Sequence, residues 1–321
     1  MSNMSATGSS LLSTDSGRAP FVSVIMNCYN SARYLREALE SVMAQTFTDW
    51  EIVFWDNRST DESAAIFKSY SDVRFRYFLA PEHTNLGRAR NPAVEQARGA
   101  WIAFLDCDDL WLPEKLEKQV AVIREEGPEL GLVYGRSRFL VEESGLETRI
   151  GRKMRGFERE GSERRLPEGH IFPELLKGNF VPLLTGVVRR SAYWSVGGVD
   201  PVFWQAEDYD LFVKISRVFK ARAVQEALGI YRIHGSNRTH AQVEDNYREG
   251  LAIVGRYLPA PEAVRGLRAH ETYRAGSEIL QGHFAKGIRH LLMHGDMLLF
   301  VRKSAATAWR WLRSWSRNSV G

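Results

Sequence analysis

Four short apolar runs alternate with helical patterns between residues 21 and 125, and this alternation constrains the fold more than any other feature. The runs are FVSVIMN, EIVFW, VRFRYFL and AWIAFLD, which begin at residues 21, 51, 73 and 100. Helical patterns follow them at 32–45, 61–70, 88–98 and 113–125. Strands and helices in regular alternation predict βαβ units, and therefore an α/β protein with a mostly parallel sheet flanked by helices.

The alternation loosens after residue 130, and the whole chain divides into three predicted parts. Residues 1–20 are rich in Ser, Thr and Gly and predict a disordered tail. Residues 21–240 form the α/β domain, with a charged, Gly-rich excursion at 142–170. Residues 241–321 predict a helical C-terminal extension. The later predicted elements of the domain are strands at 131–135 and 221–234 and helices at 191–198 and 206–219.

Charge, hydropathy and cysteine content argue against a nucleic-acid-binding, a membrane-spanning or a secreted protein. The 43 Lys and Arg against 39 Asp and Glu leave a net charge of only +4, which does not indicate nucleic-acid binding. No apolar run reaches the roughly 18–20 residues that a membrane-spanning helix needs. Cys28 and Cys107 are far apart in the chain, and the N-terminus lacks the apolar core of a signal peptide. We therefore expect a cytoplasmic protein.

An acidic cluster, Asp106–Cys107–Asp108–Asp109, follows the fourth apolar run directly. Ligands of parallel sheets bind beyond the carboxyl ends of the strands, where this cluster lies. Its carboxylates repel one another unless a cation is present, and hard divalent cations prefer such oxygen ligands. The first and third residues of an extended D-x-D point the same way and can converge on one ion. The alternative is an Asp-rich turn that caps the next helix.

Two further segments place ionisable groups at the ends of predicted elements. Glu207 and Asp208 begin a helix, where the helix dipole favours acidic residues, and either could act as a general base. His234 ends a strand before a Gly turn and is either structural or a third metal ligand. Arg88 and Arg90 open a helix in NLGRARN, a position suited to phosphate. The chain lacks the phosphate loop of ATPases and GTPases, the G-x-G-x-x-G of dinucleotide binders and the G-x-S-x-G of α/β-hydrolases.

Six motifs in one order carry a family resemblance. They are SVIMNCYN, WDNRSTDES, NLGRARN, AWIAFLDCDD, GGVDPVFWQAEDYDL and YRIHGSN. Over residues 21–240 the chain resembles family 2 glycosyltransferases, which have the Rossmann-like GT-A fold. The resemblance implies transfer of a sugar from a nucleoside diphosphate donor to an acceptor hydroxyl, with inversion at the anomeric carbon and with a divalent cation, Mn²⁺ or Mg²⁺.

The resemblance also implies roles for individual residues. Asp208 matches the catalytic base. The matches to the donor-binding positions are Tyr29, Asp56, Asn57, Arg88, Asp106 and Glu207, with Arg90 in the same region as Arg88. The matches to the metal-contacting positions are Asp106, Asp108 and His234.

The chain departs from the family pattern at three places. Asn27–Cys28 stands where Pro-Thr is common, Asn57 stands where a second Asp is common, and Arg58 stands where Gly is usual. An amide both donates and accepts, so Asn57 leaves the nucleobase open, although we expect a UDP-sugar. Trp55 and Trp204 adjoin site positions and are either core residues or platforms for sugar packing.

The C-terminal residues 284–317 interleave Trp and Arg in AWRWLRSWSR after an apolar stretch. A basic helix with Trp suits the surface of an anionic membrane, which would place the protein peripherally on the inner face of the cell membrane, near a lipid-linked acceptor. The alternative is a helix packed on the domain with a solvated basic face. RNA binding is less favoured, because no recognition fold accompanies the segment.

These observations lead to one principal hypothesis and two alternatives. The principal one is a metal-dependent inverting glycosyltransferase that builds a surface polysaccharide or glycolipid on a glycan or lipid-linked acceptor. A sugar-1-phosphate nucleotidylyltransferase should carry a Gly-rich, basic signature after the first strand, which SVIMNCYNSARYL lacks. A non-catalytic sugar- or nucleotide-binding module would be expected to have lost one of Asp106, Asp108, Asp208 and His234.

Overall fold

The structure is a computed structural model that describes residues 18–142, 165–235, 237, 243–280, 282–294, 296 and 300. Three predicted segments lie wholly or partly outside these residues. They are the tail except for its last three residues, 143–164 of the charged excursion, and 295, 297–299 and 301–317 of the C-terminal segment.

Within the described residues, eight strands form one sheet in the order β3-β2-β1-β4-β7-β6-β8-β5. The strands are β1 (Val22–Cys28), β2 (Trp50–Asp56), β3 (Phe75–Leu79), β4 (Trp101–Phe104), β5 (Leu110–Trp111), β6 (Leu130–Val141), β7 (Val187–Arg189) and β8 (Lys220–Ile233). The first four are mutually parallel, as predicted. In the other half β6 and β8 are parallel, whereas β7 and β5 run antiparallel to their neighbours, so this half of the sheet is mixed.

The helices of the described residues flank this sheet and continue beyond it. They are α1 (Ala32–Met43), α2 (Ser63–Lys68), α3 (Leu86–Glu95), α4 (Lys115–Glu125), α5 (Phe172–Leu175), α6 (Arg190–Ser195), α7 (Glu207–Val218), α8 (Val243–Gly255), α9 (Pro261–Leu280) and α10 (Phe284–His294). No helix in the described part of the chain is long and apolar enough to cross a membrane. The α/β prediction is confirmed, with the helical C-terminal extension formed by α8, α9 and α10.

The register of the parallel strands places the predicted site residues at one edge of the sheet. Cys28 at the end of β1 pairs with Asp56 at the end of β2. Phe104, the last residue of β4, pairs with Ile25 of β1, so the acidic cluster emerges at the same edge. The carboxyl ends of these strands therefore meet at the place where, from the family resemblance, we expect the nucleotide-sugar donor to bind.

The core lies on both faces of the sheet, because the parallel strands are covered by helices on each side. Ile25 and Val53 belong to one buried apolar cluster, and their neighbours Val24 and Ile52 to the other. This alternation follows from the two-residue period of a strand and makes β1 and β2 nearly continuous hydrophobic runs. Ile253 of α8 belongs to the first cluster, so the C-terminal extension shares the core of the domain.

Candidate active site

The carboxylate of Asp56 is buried at the end of β2 and is bonded on both oxygens. Its Oδ1 accepts the backbone N–H of Ser59 at 2.8 Å, and its Oδ2 accepts the hydroxyl of Tyr77 at 2.6 Å. Burial and the bond to Asp56 raise the pKa of Tyr77, so its hydroxyl remains a donor. These bonds fix the orientation of Asp56 at the edge where the donor is expected.

An aromatic surface lies next to Asp56. Tyr29 is half exposed, and its ring centroid is 4.1 Å from that of His83. The Nδ1 atom of His83 lies 2.9 Å from the carbonyl oxygen of Asn57. Tyr29 and His83 together offer a platform on which a nucleobase can stack. The sequence reasoning missed His83, since a single histidine in the loop between β3 and α3 carries no periodic signal.

Asn57 is buried, and both ends of its amide bond the loop after β3. Its Nδ2 donates to the carbonyl of Thr84 at 2.6 Å, and its Oδ1 accepts the backbone N–H of Thr84 at 3.2 Å. Arg58 has a φ of 68°, in the left-handed region that favours glycine, which agrees with the Gly usual at this position. The Arg58 side chain bonds the carbonyl of Pro81. Asn57 and Arg58 thus shape the wall beside the aromatic platform.

A buried arginine joins the acidic cluster to Glu207, the residue before the predicted base. Arg90 of α3 is 2% exposed; its Nε lies 3.1 Å from Oε1 of Glu207, and its Nη2 lies 3.6 Å from Oδ1 of Asp106. Burial would lower the pKa of Arg90, but the charges of Glu207, Asp106 and Asp208 outweigh it, and the pKa is raised. Arg88, on the same helix, is exposed. The structure therefore brings Arg90, rather than Arg88, into the centre of the site.

Asp208 lies in the first turn of α7, beside this arginine. Its Oδ1 accepts the backbone N–H of Tyr209 at 2.7 Å, and its Oδ2 lies 3.5 Å from the amide nitrogen of Asn179. Burial and the charge of Glu207, opposed by Arg90, raise the pKa of Asp208 to about 7. A carboxylate with this pKa is partly protonated at neutral pH and is suited to exchange a proton with a substrate.

The pH profile of the transfer reaction that the family resemblance implies should report this pKa. Only the unprotonated Asp208 can accept a proton, so kcat/KM is expected to rise with pH through about 7 and to level off above it. The measurement is the initial rate from pH 5.5 to 9 at constant ionic strength and metal concentration. A profile flat down to pH 5.5 would contradict a raised pKa of Asp208 as the predicted base.

Asp108 and His234 meet beyond the ends of β4 and β8. Oδ2 of Asp108 lies 3.0 Å from Nε2 of His234. The buried His234 is oriented by Asn237, whose Oδ1 accepts the backbone N–H of His234 at 2.6 Å. Asn237 was missed by sequence reasoning, although it stands in the same YRIHGSN motif.

The third aspartate of the acidic cluster, Asp109, is buried and accepts the backbone N–H of Arg232 at 2.9 Å. Burial raises the pKa of Asp109 well above its usual range. Asp109 is therefore a structural residue of the turn.

The donor atoms of Asp108 and His234 fit a divalent cation in their chemistry, because carboxylate oxygen and imidazole nitrogen both bind such ions. In this structure the two side chains hydrogen-bond each other. Asp106 is turned toward Arg90 instead, and within the described residues no three His, Cys, Asp or Glu side chains converge as a complete metal site.

The loop before Asp208 packs tightly on α3. A Cβ atom at Gly87 would lie 2.4 Å from the carbonyl oxygen of Phe203, so only glycine permits this approach. The side chain of Asn91 bonds both the N–H and the carbonyl of Val199, at 3.0 and 2.8 Å. Trp204 in this loop is 57% exposed and is therefore not a core residue, whereas Trp55 is 8% exposed and lies in the core.

Comparisons with known proteins agree with this geometry. The profile of the family described as "Glycosyl transferase family 2" matches residues 23–180. An uncharacterized glycosyltransferase of Methanocaldococcus jannaschii is 32% identical over 222 residues, which are 67% of this chain and 71% of the relative. A candidate teichuronic acid biosynthesis glycosyltransferase of Bacillus subtilis, TuaG, is 28% identical over 218 residues, 67% of this chain and 79% of the relative.

Solved structures share the fold at lower identity. S. aureus TarS 1–349 in complex with UDP-GlcNAc superimposes with a TM-score of 0.63 at 20% identity, covering 80% of this chain and 72% of TarS. The mannosyltransferase PcManGT from Pyrobaculum calidifontis, in complex with GDP-Man and Mn²⁺, has a TM-score of 0.61 at 17% identity, covering 94% and 84%. The profile match, the relatives and the α/β sheet with its site at the strand ends all agree, and the chain belongs to the family 2 glycosyltransferases with the GT-A fold.

Proposed function

We propose that the protein is an inverting glycosyltransferase that moves a sugar from a nucleoside diphosphate donor, with a UDP-sugar favoured, to a hydroxyl of a glycan or lipid-linked acceptor. The product would be a surface polysaccharide or glycolipid. The observation that carries this proposal is the buried Arg90, which joins Asp106 at the end of β4 to Glu207 beside Asp208. A predicted donor site and a predicted base are thereby brought into one cluster.

The donor would bind along the edge formed by β1, β2 and β4. Tyr29 and His83 would stack on the base, with Asp56 beside them. Asp106 would face the ribose. TarS complexes with UDP and UDP-GlcNAc support the choice of a UDP-sugar, and TuaG supports a surface polysaccharide as product.

Transfer would occur by direct displacement. Asp208 removes the proton of the acceptor hydroxyl while that oxygen attacks the anomeric carbon from the face opposite the diphosphate. The new glycosidic bond forms as the bond from the anomeric carbon to the diphosphate oxygen breaks, which inverts the configuration. A divalent cation, Mn²⁺ or Mg²⁺, bound by Asp108 and His234 with Asp106 nearby, would supply Lewis-acid stabilisation of the charge on the leaving diphosphate. PcManGT with GDP-Man and Mn²⁺ supports this cofactor.

Nucleotide binding tests the donor site. We expect one of UDP, GDP, dTDP and CMP to raise the melting temperature in the presence of Mn²⁺, because a ligand at about 100 times its dissociation constant stabilises the fold by about 2.7 kcal/mol. Asp108→Asn should weaken this Mn²⁺-dependent shift. Asp49→Asn is the control, since Asp49 precedes β2 at the opposite edge of the sheet.

Two outcomes would count against these assignments. A chain that no nucleotide stabilises, with or without Mn²⁺, would favour a non-catalytic module. An undiminished shift in Asp108→Asn would remove Asp108 from the metal site.

We further propose that residues 284–317 contact an anionic membrane, which would place the enzyme in the cytoplasm, peripheral on the inner face of the cell membrane. Three residues of α10, Phe284, Ile288 and Leu292, are 61%, 51% and 68% exposed. Their spacing of four puts them on one side of the helix, and the basic, Trp-containing sequence follows. Such an apolar side next to positive charge is typical of helices that lie on lipid surfaces.

Sedimentation with vesicles tests this contact. The chain is expected to sediment with vesicles that contain phosphatidylglycerol and to stay in solution with phosphatidylcholine alone. Ile288→Asp should lower the partition about tenfold or more, because burying one such side chain contributes about 1.5–3 kcal/mol. Val73→Asp is the matched control, since Val73 is 93% exposed and lies before β3. Equal binding of both variants would contradict a role for this side of α10.

A further inference from the structure

Helix α8, beyond the predicted catalytic domain, contacts the loop that leads into Asp208. The carboxylate of Glu249 accepts three consecutive backbone N–H groups of this loop. Trp204 donates to Oε1 at 2.9 Å, and Gln205 and Ala206 donate to Oε2 at 2.9 and 2.8 Å. A single side chain, from a helix far along the chain, thus binds the backbone of residues 204–206 just before α7.

These bonds lie at the start of α7, whose N-cap residue Ala206 has no side chain able to cap the helix. The first four N–H groups of a helix have no partner within it. Glu249 bonds the first of them in α7, that of Ala206, and Asp208 bonds that of Tyr209. Glu249 places a negative charge at this end, where the helix dipole favours it.

A second residue from the same part of the chain, Arg256, contacts the segments on both sides of the loop. It is the residue that directly follows the end of α8. Its Nη2 lies 2.7 Å from Oδ2 of Asp200, before the loop, and its Nη1 lies 3.2 Å from Oδ1 of Asp210, after the base. Glu249 of α8 therefore binds the second half of the loop 200–206, and Arg256, just after α8, binds Asp200 at its beginning and Asp210 in the helix that follows it.

We propose that Glu249 is a positioning residue for the catalytic base, so that α8 completes the acceptor side of the active site. This inference rests on the proposed function. Asp208 itself bonds only the adjacent Tyr209 and, at 3.5 Å, Asn179 among the contacts described, so its place depends on where α7 begins. Glu249 bonds none of the residues at the ends of β1 and β2, where the nucleotide would bind. Its loss should therefore affect the transfer step and spare the donor.

Glu249→Gln tests this role with minimal change in shape. The amide keeps one acceptor oxygen and turns an N–H₂ donor toward backbone N–H groups, so at least one of them loses its partner. We expect kcat for transfer to fall about tenfold or more, since small displacements of a catalytic group cost up to about 10²-fold. The KM for the donor and the affinity for its nucleoside diphosphate should change less than about twofold, because Glu249 does not bond the residues of the proposed nucleotide site. Glu249→Asp, which keeps both oxygens, should recover part of kcat.

The matched control is Glu244→Gln on the same helix. Glu244 is exposed and pairs with Arg248 and Arg274, away from the loop. Its replacement should leave kcat and the donor KM unchanged. A wild-type kcat in Glu249→Gln, or an equal loss of kcat and of nucleotide affinity, would overturn the positioning role.

Amide hydrogen exchange separates this inference from the proposed function. The amides of 204–206 should exchange faster in Glu249→Gln than in the wild type and in Glu244→Gln, whether or not a substrate is known. Unchanged exchange at these amides would overturn the inference even if the enzyme is a transferase. A wild type that transfers no sugar from any donor would overturn the proposed function, and with it the role of Glu249 in transfer.

Discussion

Asp208→Asn is expected to lower kcat for sugar transfer by about 10³-fold, within the range of about 10²–10⁴ that a positioned general base contributes. The amide has the same shape but cannot accept a proton from the acceptor hydroxyl. Nucleotide affinity should stay near the wild-type value, because in the proposed site the donor is bound mainly by residues at the ends of β1, β2 and β4. The measurement pairs single-turnover transfer with calorimetric titration of the nucleoside diphosphate.

The control for this change is again Asp49→Asn, at the opposite edge of the sheet, which should transfer sugar at the wild-type rate. Retained turnover in Asp208→Asn would assign the base elsewhere, with Glu207 the nearest carboxylate in sequence. Loss of nucleotide binding together with turnover would show that the substitution disturbs the whole site.

Arg90→Met should reduce the free energy of unfolding by about 3–5 kcal/mol, the usual cost of leaving one partner of a buried ion pair alone. Arg90 and Glu207 are 2% and 5% exposed in their side chains, so water cannot solvate the remaining carboxylate. Urea denaturation measures the loss. The double variant Arg90→Met with Glu207→Gln should recover part of it, because no uncompensated charge stays buried.

Arg88→Met on the same helix is the matched control and should change stability by less than about 0.5 kcal/mol, as exposed positions usually do. Arg90 also lowers the pKa of Asp208 by its charge, so any residual activity of Arg90→Met should rise with pH at higher values than in the wild type. An Arg90→Met variant as stable as Arg88→Met would contradict the buried pair as a structural element.

The sequence pattern of α3 is sufficient to predict which of the two arginines, Arg88 or Arg90, is buried. Ala93 and Val94 are buried on α3, three and four residues after Arg90, and this is the spacing of one helix face. Arg88 lies two residues earlier and must point away from that face. The periodicity of NLGRARNPAV therefore indicates that Arg90, and not Arg88, faces the buried side of α3, whereas the family resemblance matched both arginines to the donor region.

The parallel half of the sheet was predictable because its strands are long enough to show apolar runs. Other parts of the fold and of the site carried no such signal in the sequence. Strands β5 and β7 have two and three residues, which is too few for a hydrophobic pattern. Strand β7 also runs antiparallel to β4, so the parallel pairing ends there. The bonds from Glu249 to its loop span more than 40 residues and depend on how α8 packs, which local sequence does not express.

The separation of the site residues along the chain bears on how the protein is made. Arg90 and Glu207 are 117 residues apart, and Asp108 and His234 are 126 apart. At a synthesis rate of roughly 5–20 residues per second, Arg90 leaves the ribosome roughly 6–23 s before Glu207. During that interval the nascent chain carries Arg90 without Glu207, Asp108 without His234, and Asp109 without the backbone N–H of Arg232. Ribosome-bound chains that end before α7 are therefore expected to be the species most dependent on chaperones.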